Sequence, residues 1–153
     1  MDKAALYRQV EEQLTALLED VPDLVAAMAS AAALLHDAFD HMFWVGFYRL
    51  APDGSLVVGP YQGPIASTRL PPGRGVCGAA IAAGETVLVP DVHSFPGHIA
   101  CDPRSKSEIV VPLRYRGELV GVLDVDSDRP DAFDETDRAG LERCATLVAT
   151  AWI

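Results

Sequence analysis

Residues 107–127, SEIVVPLRYRGELVGVLDVDS, hold two β-branched apolar runs, EIVVPLRYR and ELVGVLDVDS, on either side of Gly117. Such runs suit a pleated, half-buried surface, and a glycine between them suits a tight turn, so the stretch predicts an antiparallel hairpin. Working outward, FWVGFYRL from Phe43, the turn signal Pro52-Asp53-Gly54 and SLVVGPYQG from Ser55 predict an earlier hairpin. Before it, Leu6, Val10, Leu14 and Leu17 recur at helical spacing, and after Val21-Pro22-Asp23 a second helical pattern runs from about Leu24 to Phe39. Between the hairpins, Val76 to Ala83 reads as a short helix bounded by Gly75 and Gly84. The strand-like TVLVP and a long polar loop containing Pro96-Gly97 follow. Asp134, with Asp137 three residues later, caps a closing amphipathic helix. Helices at the ends and strands in the middle predict an α+β fold: a mainly antiparallel sheet with helices on one face, leaving the other free for a ligand.

The 153 residues fit one domain, residues 1–153, and a 50% hydrophobic content argues for a packed core. With 22 acidic residues against 12 basic ones and a net charge of -10, the surface repels phosphate backbones and anionic lipid. Neither nucleic acid nor a membrane surface is an expected partner; a small molecule is. Met1 to Gln9 carry charge without the apolar core of a secretory signal, and the apolar run Leu24 to Leu35 is interrupted by Ser30 and too short to span a bilayer. A cytoplasmic protein is therefore expected. Three cysteines, an odd number, favour reactive or simply buried thiols over a disulfide framework.

Chemistry concentrates in the second half of the chain. Alternation along the last strand places Val120, Val122, Asp124 and Asp126 on one face and Leu123 and Val125 on the other. Two carboxylates beside apolar neighbours need a cation, a metal or a charged ligand, unless they merely end the strand in solvent. Glu108 opens the partner strand, so pairing can bring three acids together. Like charges at close range raise at least one carboxyl pKa and leave a proton donor near neutral pH. A solvated glutamate at the strand start is the plainer alternative.

Cys101 follows His93 and His98 in VHSFPGHIACD, where the Pro96-Gly97 turn can fold an imidazole back toward the thiol and favour thiolate. No CxxC or HxxxH spacing supports a metal set, so no metal is expected. Cys77 falls in the first turn of the short helix, where free N–H groups and the positive dipole end predict a reactive thiol; the glycines around it also suit a simple tight turn. A thiolate nucleophile beside a carboxylic acid that delivers a proton to a leaving oxygen suits redox chemistry on a small polar molecule. Cys144, with Leu141, Val148 and Ala151, belongs to the inner stripe of the last helix and is assigned to the core. Trp44 and Tyr48 share a strand face with Gly46 between them, which suits either core packing or an aromatic wall for a thioether.

Taken in order and spacing, WVGFY, GRGVCG, DVHSFPGHIACD, SEIVVPL and GVLDVDS resemble the free methionine-(R)-sulfoxide reductases, enzymes built on a single GAF domain. The resemblance covers nearly the whole chain. It implies a six-stranded antiparallel sheet with the pocket on the face away from the main helices. It also implies Cys101 as the attacking thiol, Glu108 as the acid at the sulfoxide oxygen, Asp124 and Asp126 as ligands of the substrate's amino group, and Trp44 and Tyr48 as aromatic lining. Free methionine sulfoxide is the implied substrate, a resolving thiol and thioredoxin the implied source of electrons, and no bound cofactor is required. Dimerisation is a tendency of the family. Many relatives carry a third cysteine ten positions before Cys77, where this chain has Ser67. Cys77 is then expected to resolve the sulfenic acid itself, although its helix-terminal position also allows the two thiols to exchange roles. The rival reading is a non-catalytic GAF sensor that binds a small molecule, since one fold serves many sites.

Overall fold

The structure, a computed structural model, describes residues 1–98 and 102–152. Helices α1 (Lys3–Asp20) and α2 (Leu24–Ala38) lead into strands β1 (Trp44–Leu50), β2 (Leu56–Gln62) and β3 (Arg69–Leu70). Helix α3 (Gly75–Ala83), β4 (Val87–Val89), β5 (Ser107–Tyr115), β6 (Glu118–Ser127) and α4 (Glu135–Ala149) complete the order. Among the described residues the strands form one six-stranded sheet in the order β3-β2-β1-β6-β5-β4, every neighbouring pair antiparallel. The expected α+β architecture and GAF-type sheet are what the chain adopts. The sequence reading passed over β3, a two-residue edge strand too short to carry a pattern.

The opening hairpin turns through Gly54 at φ 87°, with Asp53 accepting hydrogen bonds from the Ser55 amide and hydroxyl. The β5–β6 hairpin turns through Arg116 and Gly117 at φ 53° and 81°, the left-handed pair that matches the twist of its strands. Asp2 and Asp23 cap α1 and α2, and Asp134 with Asp137 forms a complete capping box at α4.

Helices α1, α2 and α4 cover one face of the sheet, over Val45 and Phe47 of β1, Ile109, Val111 and Leu113 of β5, and Leu123 and Val125 of β6. Each such fully buried side chain stabilises the fold by about 1.5–3 kcal/mol. The buried stripe of α1 is Tyr7, Val10 and Leu14, whereas Leu17 is 45% exposed, so the stripe is rotated from the expected one. Cys144 is fully buried in this core, as assigned, and burial pushes its thiol up to about 12.

The opposite face is not bare. Helix α3 lies across it, and Val76, Cys77 and Ala80 pack with Trp44, Tyr48, Val110 and Val122 in a second, smaller core. The ligand side is therefore a cavity between sheet and α3. One side chain changes face relative to expectation: Val120 packs against the larger core, not beside Val122. The pairing steps from Leu113↔Gly121 to Arg114↔Leu119, so Val120 is the extra residue of a β-bulge that breaks the alternation there.

Candidate active site

The site follows from register. Trp44 pairs with Asp126 and Gly46 with Asp124, while across β6 Glu108 pairs with Asp126 and Val110 with Asp124. Directly paired residues share a sheet face, so Trp44, Asp126 and Glu108 form one row, with Asp124 in the next row on that face and Tyr48 in the one after it. Helix α3 closes over these rows and carries Cys77. Glu108, Asp124, Asp126, Trp44, Tyr48 and Cys77 all line a single cavity with about 590 Å³ of empty space, part of it open to solvent.

The loop preceding α3 explains how Cys77 is held. In GRGVCG, Gly73 and Gly75 take φ 70° and 69°, and a Cβ on Gly78 would meet the carbonyl carbon of Gly73 at 2.6 Å. The glycines let the turn fold directly onto the helix, which sets the thiol 3% exposed above the acids. Cys77 Sγ and carboxylate oxygens of Glu108 and Asp124 lie within 4.8 Å of one another.

These contacts overturn the expectation that Cys77 is a readily ionised thiol. Burial, then the charges of Asp124, Glu108 and Asp126, push its pKa well above the ordinary range, and the dipole of a nine-residue helix does not compensate. The solvated reading of the strand acids is overturned as well. Glu108 and Asp124 are 6% and 5% exposed, and burial followed by the neighbouring charge of Glu108 raises the Asp124 carboxyl well above its usual value. Ionisation of both buried carboxyls at once is therefore disfavoured. Asp126, half-buried, completes the trio.

Trp44 and Tyr48 stack with ring centroids 5.9 Å apart, and Tyr61 stacks on Trp44 at 5.1 Å. The Trp44 indole donates to the Pro64 carbonyl at 3.0 Å. A Cβ on Gly46 would meet the Trp44 ring at 2.5 Å, so the expected gap between the aromatics is filled by the indole itself. Its role is to let the ring lie flat along the strand.

Cys101 lies outside the described residues. Of its described neighbours, His98 lines the cavity with Nε2 3.6 Å from Glu108 Oε1, and burial lowers its pKa, leaving a neutral imidazole. His93 is exposed and does not line the cavity. Asp102 also lines it, and Arg104 donates Nε and Nη2 to the two Asp102 oxygens at 2.9 and 2.8 Å, holding that carboxyl down at about 2. The Arg104 guanidinium stacks 4.7 Å over the Phe43 ring, tying the loop to the start of β1. Ser67 sits half-buried in the connection between β2 and β3, not on a strand, and does not line the cavity.

The donor set Cys77, Glu108 and Asp124, with His98 beside it, is of a kind that could also hold a divalent ion. Sequence reading missed Arg74 and Asp102. Arg74 was hidden in a turn motif, whereas adjacency to Cys101 was a signal for Asp102.

The GAF domain family profile matches residues 18–152. The chain is 47% identical over 151 residues to Protein YtsP of Bacillus subtilis, covering 98% of this chain and 93% of that protein. It is 43% identical over 143 residues to the free methionine-R-sulfoxide reductase of Escherichia coli, covering 94% of this chain and 86% of the enzyme. The crystal structure of free methionine-R-sulfoxide reductase from Neisseria meningitidis in complex with its substrate superposes with a TM-score of 0.95 at 50% identity, covering 99% of this chain and 91% of the other.

Proposed function

This chain belongs to the free methionine-R-sulfoxide reductase family of GAF-domain proteins, and on that footing we propose that it reduces free L-methionine-(R)-sulfoxide to methionine with electrons from thiols. The observation that carries this reading is the buried Glu108–Asp124 pair, which shares one cavity with Trp44, Tyr48 and Cys77.

Cys101 is the attacking thiol in this reading. Its thiolate adds to the sulfoxide sulfur while the carboxyl pair, with Glu108 foremost, gives a proton to the oxygen; methionine leaves, and Cys101 is left as the sulfenic acid. The raised pKa of Cys77 supports giving the attack to Cys101, because a buried thiol beside three acids is a poor attacker. Cys77 is the resolving thiol: its sulfur displaces the sulfenic hydroxyl to form the disulfide, and its proton, relayed by the hydrogen-bonded Asp124, leaves with that hydroxyl as water. A dithiol such as thioredoxin then reduces the disulfide, so each turnover consumes one sulfoxide and one dithiol and releases methionine and water. No bound cofactor enters this sequence, and the thioredoxin system fits the expected cytoplasmic setting. Among the described residues no helix is long and apolar enough to cross a membrane.

Asp124 and Asp126 receive the substrate's ammonium, and the stacked aromatics line the side that takes the thioether. A peptide-bound methionine sulfoxide has no such ammonium and leaves the acids unpaired, a mismatch that costs orders of magnitude in specificity. NADPH oxidation coupled through thioredoxin reductase and thioredoxin tests the proposal. Free L-methionine-(R)-sulfoxide turns over, whereas its S epimer and a methionine-sulfoxide dipeptide do not; tight binding of the free amino acid without turnover would identify a sensor instead.

A further inference from the structure

Three side chains with separate tasks in the proposed cycle stand together. Cys77 Sγ, one oxygen of Glu108 and one of Asp124 lie within 4.8 Å of one another, and all three residues are buried. They come from α3, β5 and β6, so tertiary packing assembles them and no run of neighbouring acids is involved. A tetrahedral zinc ion, with sulfur at about 2.3 Å and carboxylate oxygens at about 2.0–2.2 Å, holds its donors about 3.3–3.6 Å apart. Side-chain shifts of about an ångström bring the three onto one such ion.

A second, independent observation points to a cation here. Asp124 is 5% exposed, and its Oδ1 is buried with no hydrogen-bond partner among the described residues. A buried carboxylate oxygen is costly until something donates to it or is coordinated by it. Its side chain is also hydrogen-bonded to the Cys77 thiol, so an ion that replaces the thiol proton engages both groups at once. The donor types select the metal. Magnesium and calcium take oxygen ligands, whereas one thiolate sulfur with two carboxylates suits Zn²⁺, with water in the fourth position.

We propose that in the reduced protein Cys77, Glu108 and Asp124 bind a single Zn²⁺ ion that inhibits the enzyme, and that oxidation of Cys77 abolishes the site. Binding releases the thiol proton to solvent and moves no electrons. The ion is an inhibitor and not a cofactor: it covers Asp124, where the substrate's ammonium is received, and occupies the sulfur that resolves the sulfenic acid. Inhibition rests on the reductase reading given above; binding of the ion does not. Once sulfoxide has oxidised the ion-free protein, the disulfide leaves two carboxylates without a thiolate, and zinc is no longer held.

The test titrates fully reduced protein under argon with Zn²⁺ against a chromophoric chelator, and with Co²⁺ as a spectroscopic substitute. One ion binds per chain, and cobalt gives a thiolate-to-metal charge-transfer band. Cys77→Ser abolishes the band and weakens zinc by at least about a hundredfold, Asp124→Asn weakens zinc by about tenfold or more, and Cys101→Ser leaves both signals in place. No stoichiometric binding to the reduced native protein, or a band that survives Cys77→Ser and disappears in Cys101→Ser, overturns the site. The redox half is read on native protein and so does not depend on how a variant folds. Treatment with free methionine sulfoxide, followed by its removal, consumes two thiols and abolishes zinc uptake. Uptake that persists after both thiols are consumed overturns the redox control. Uptake that persists with no thiol consumed sinks the reductase reading and leaves the zinc site standing.

Discussion

At position 77 two local influences oppose one another. A cysteine in the first turn of a helix lies where the backbone favours an anion, yet this one is 3% exposed and faces Glu108 and Asp124 within 4.8 Å. Buried like charges outweigh the dipole, which falls off within a turn and is worth only about 0.3–1 kcal/mol at ordinary sites. In the proposed cycle Cys77 therefore resolves and does not attack. Cys77→Ser is expected to form methionine in a single turnover at the native rate and then stall, with steady-state thioredoxin-linked turnover reduced roughly a hundredfold, because serine cannot close the disulfide. Rapid-quench measurement of methionine beside the coupled assay checks this; full multiple turnover in the variant would remove Cys77 from the cycle.

At the scale of elements, α3 depends on close approach of backbone to backbone. Gly78 is buried within α3, and a Cβ there would stand 2.6 Å from the Gly73 carbonyl carbon. Gly78→Ala must lift the 71–74 turn away from the helix. The expected cost is about 1–3 kcal/mol of stability. Because the same turn carries Arg74 to the cavity rim, KM for the free sulfoxide rises while the far-ultraviolet spectrum stays native; denaturant titration together with kinetics reads both. Neither this contact nor the bulge at Val120 is visible in sequence. GRGVCG signals a turn before a helix, but which glycine faces another backbone depends on how they meet. The alternation of β6 likewise reads as unbroken until the pairing with Arg114 is known.

For the molecule as a whole, Asp137 joins elements distant in sequence. Its fully buried carboxylate accepts hydrogen bonds from Lys3 Nζ at 2.6 Å, Tyr7 Oη at 2.8 Å and the Asp134 amide at 2.9 Å, and lies 3.1 Å from His41 Nε2. Burial alone would raise its pKa, but His41, Lys3, the Asp134 amide and Tyr7 together hold it well below the ordinary carboxyl range. A group depressed in the folded state contributes stability above its unfolded pKa of about 3.9 and loses it as pH falls toward the folded value. Asp137→Asn is therefore expected to cost about 3 kcal/mol at pH 7, leaving Lys3 without its buried partner, and the gap from the native protein narrows as the pH drops below about 4. Thermal unfolding followed across that range measures it; a gap independent of pH contradicts the linkage.

Local pattern by itself determined the helix at each end, both hairpins, the capping box at Asp134 and the core assignment of Cys144, because these rest on periodicity and turn chemistry within a few residues. It also determined that Trp44, Glu108, Asp124 and Asp126 are available to one face, since strand alternation has a fixed period of two. Only the tertiary structure decided that α3 covers that face, that Asp124 is buried while Asp126 is half-buried, and that Cys77 holds its proton. Burial and charge proximity are set by what packs from elsewhere in the chain, and the residues that shift Cys77 lie 31 to 49 positions downstream of it.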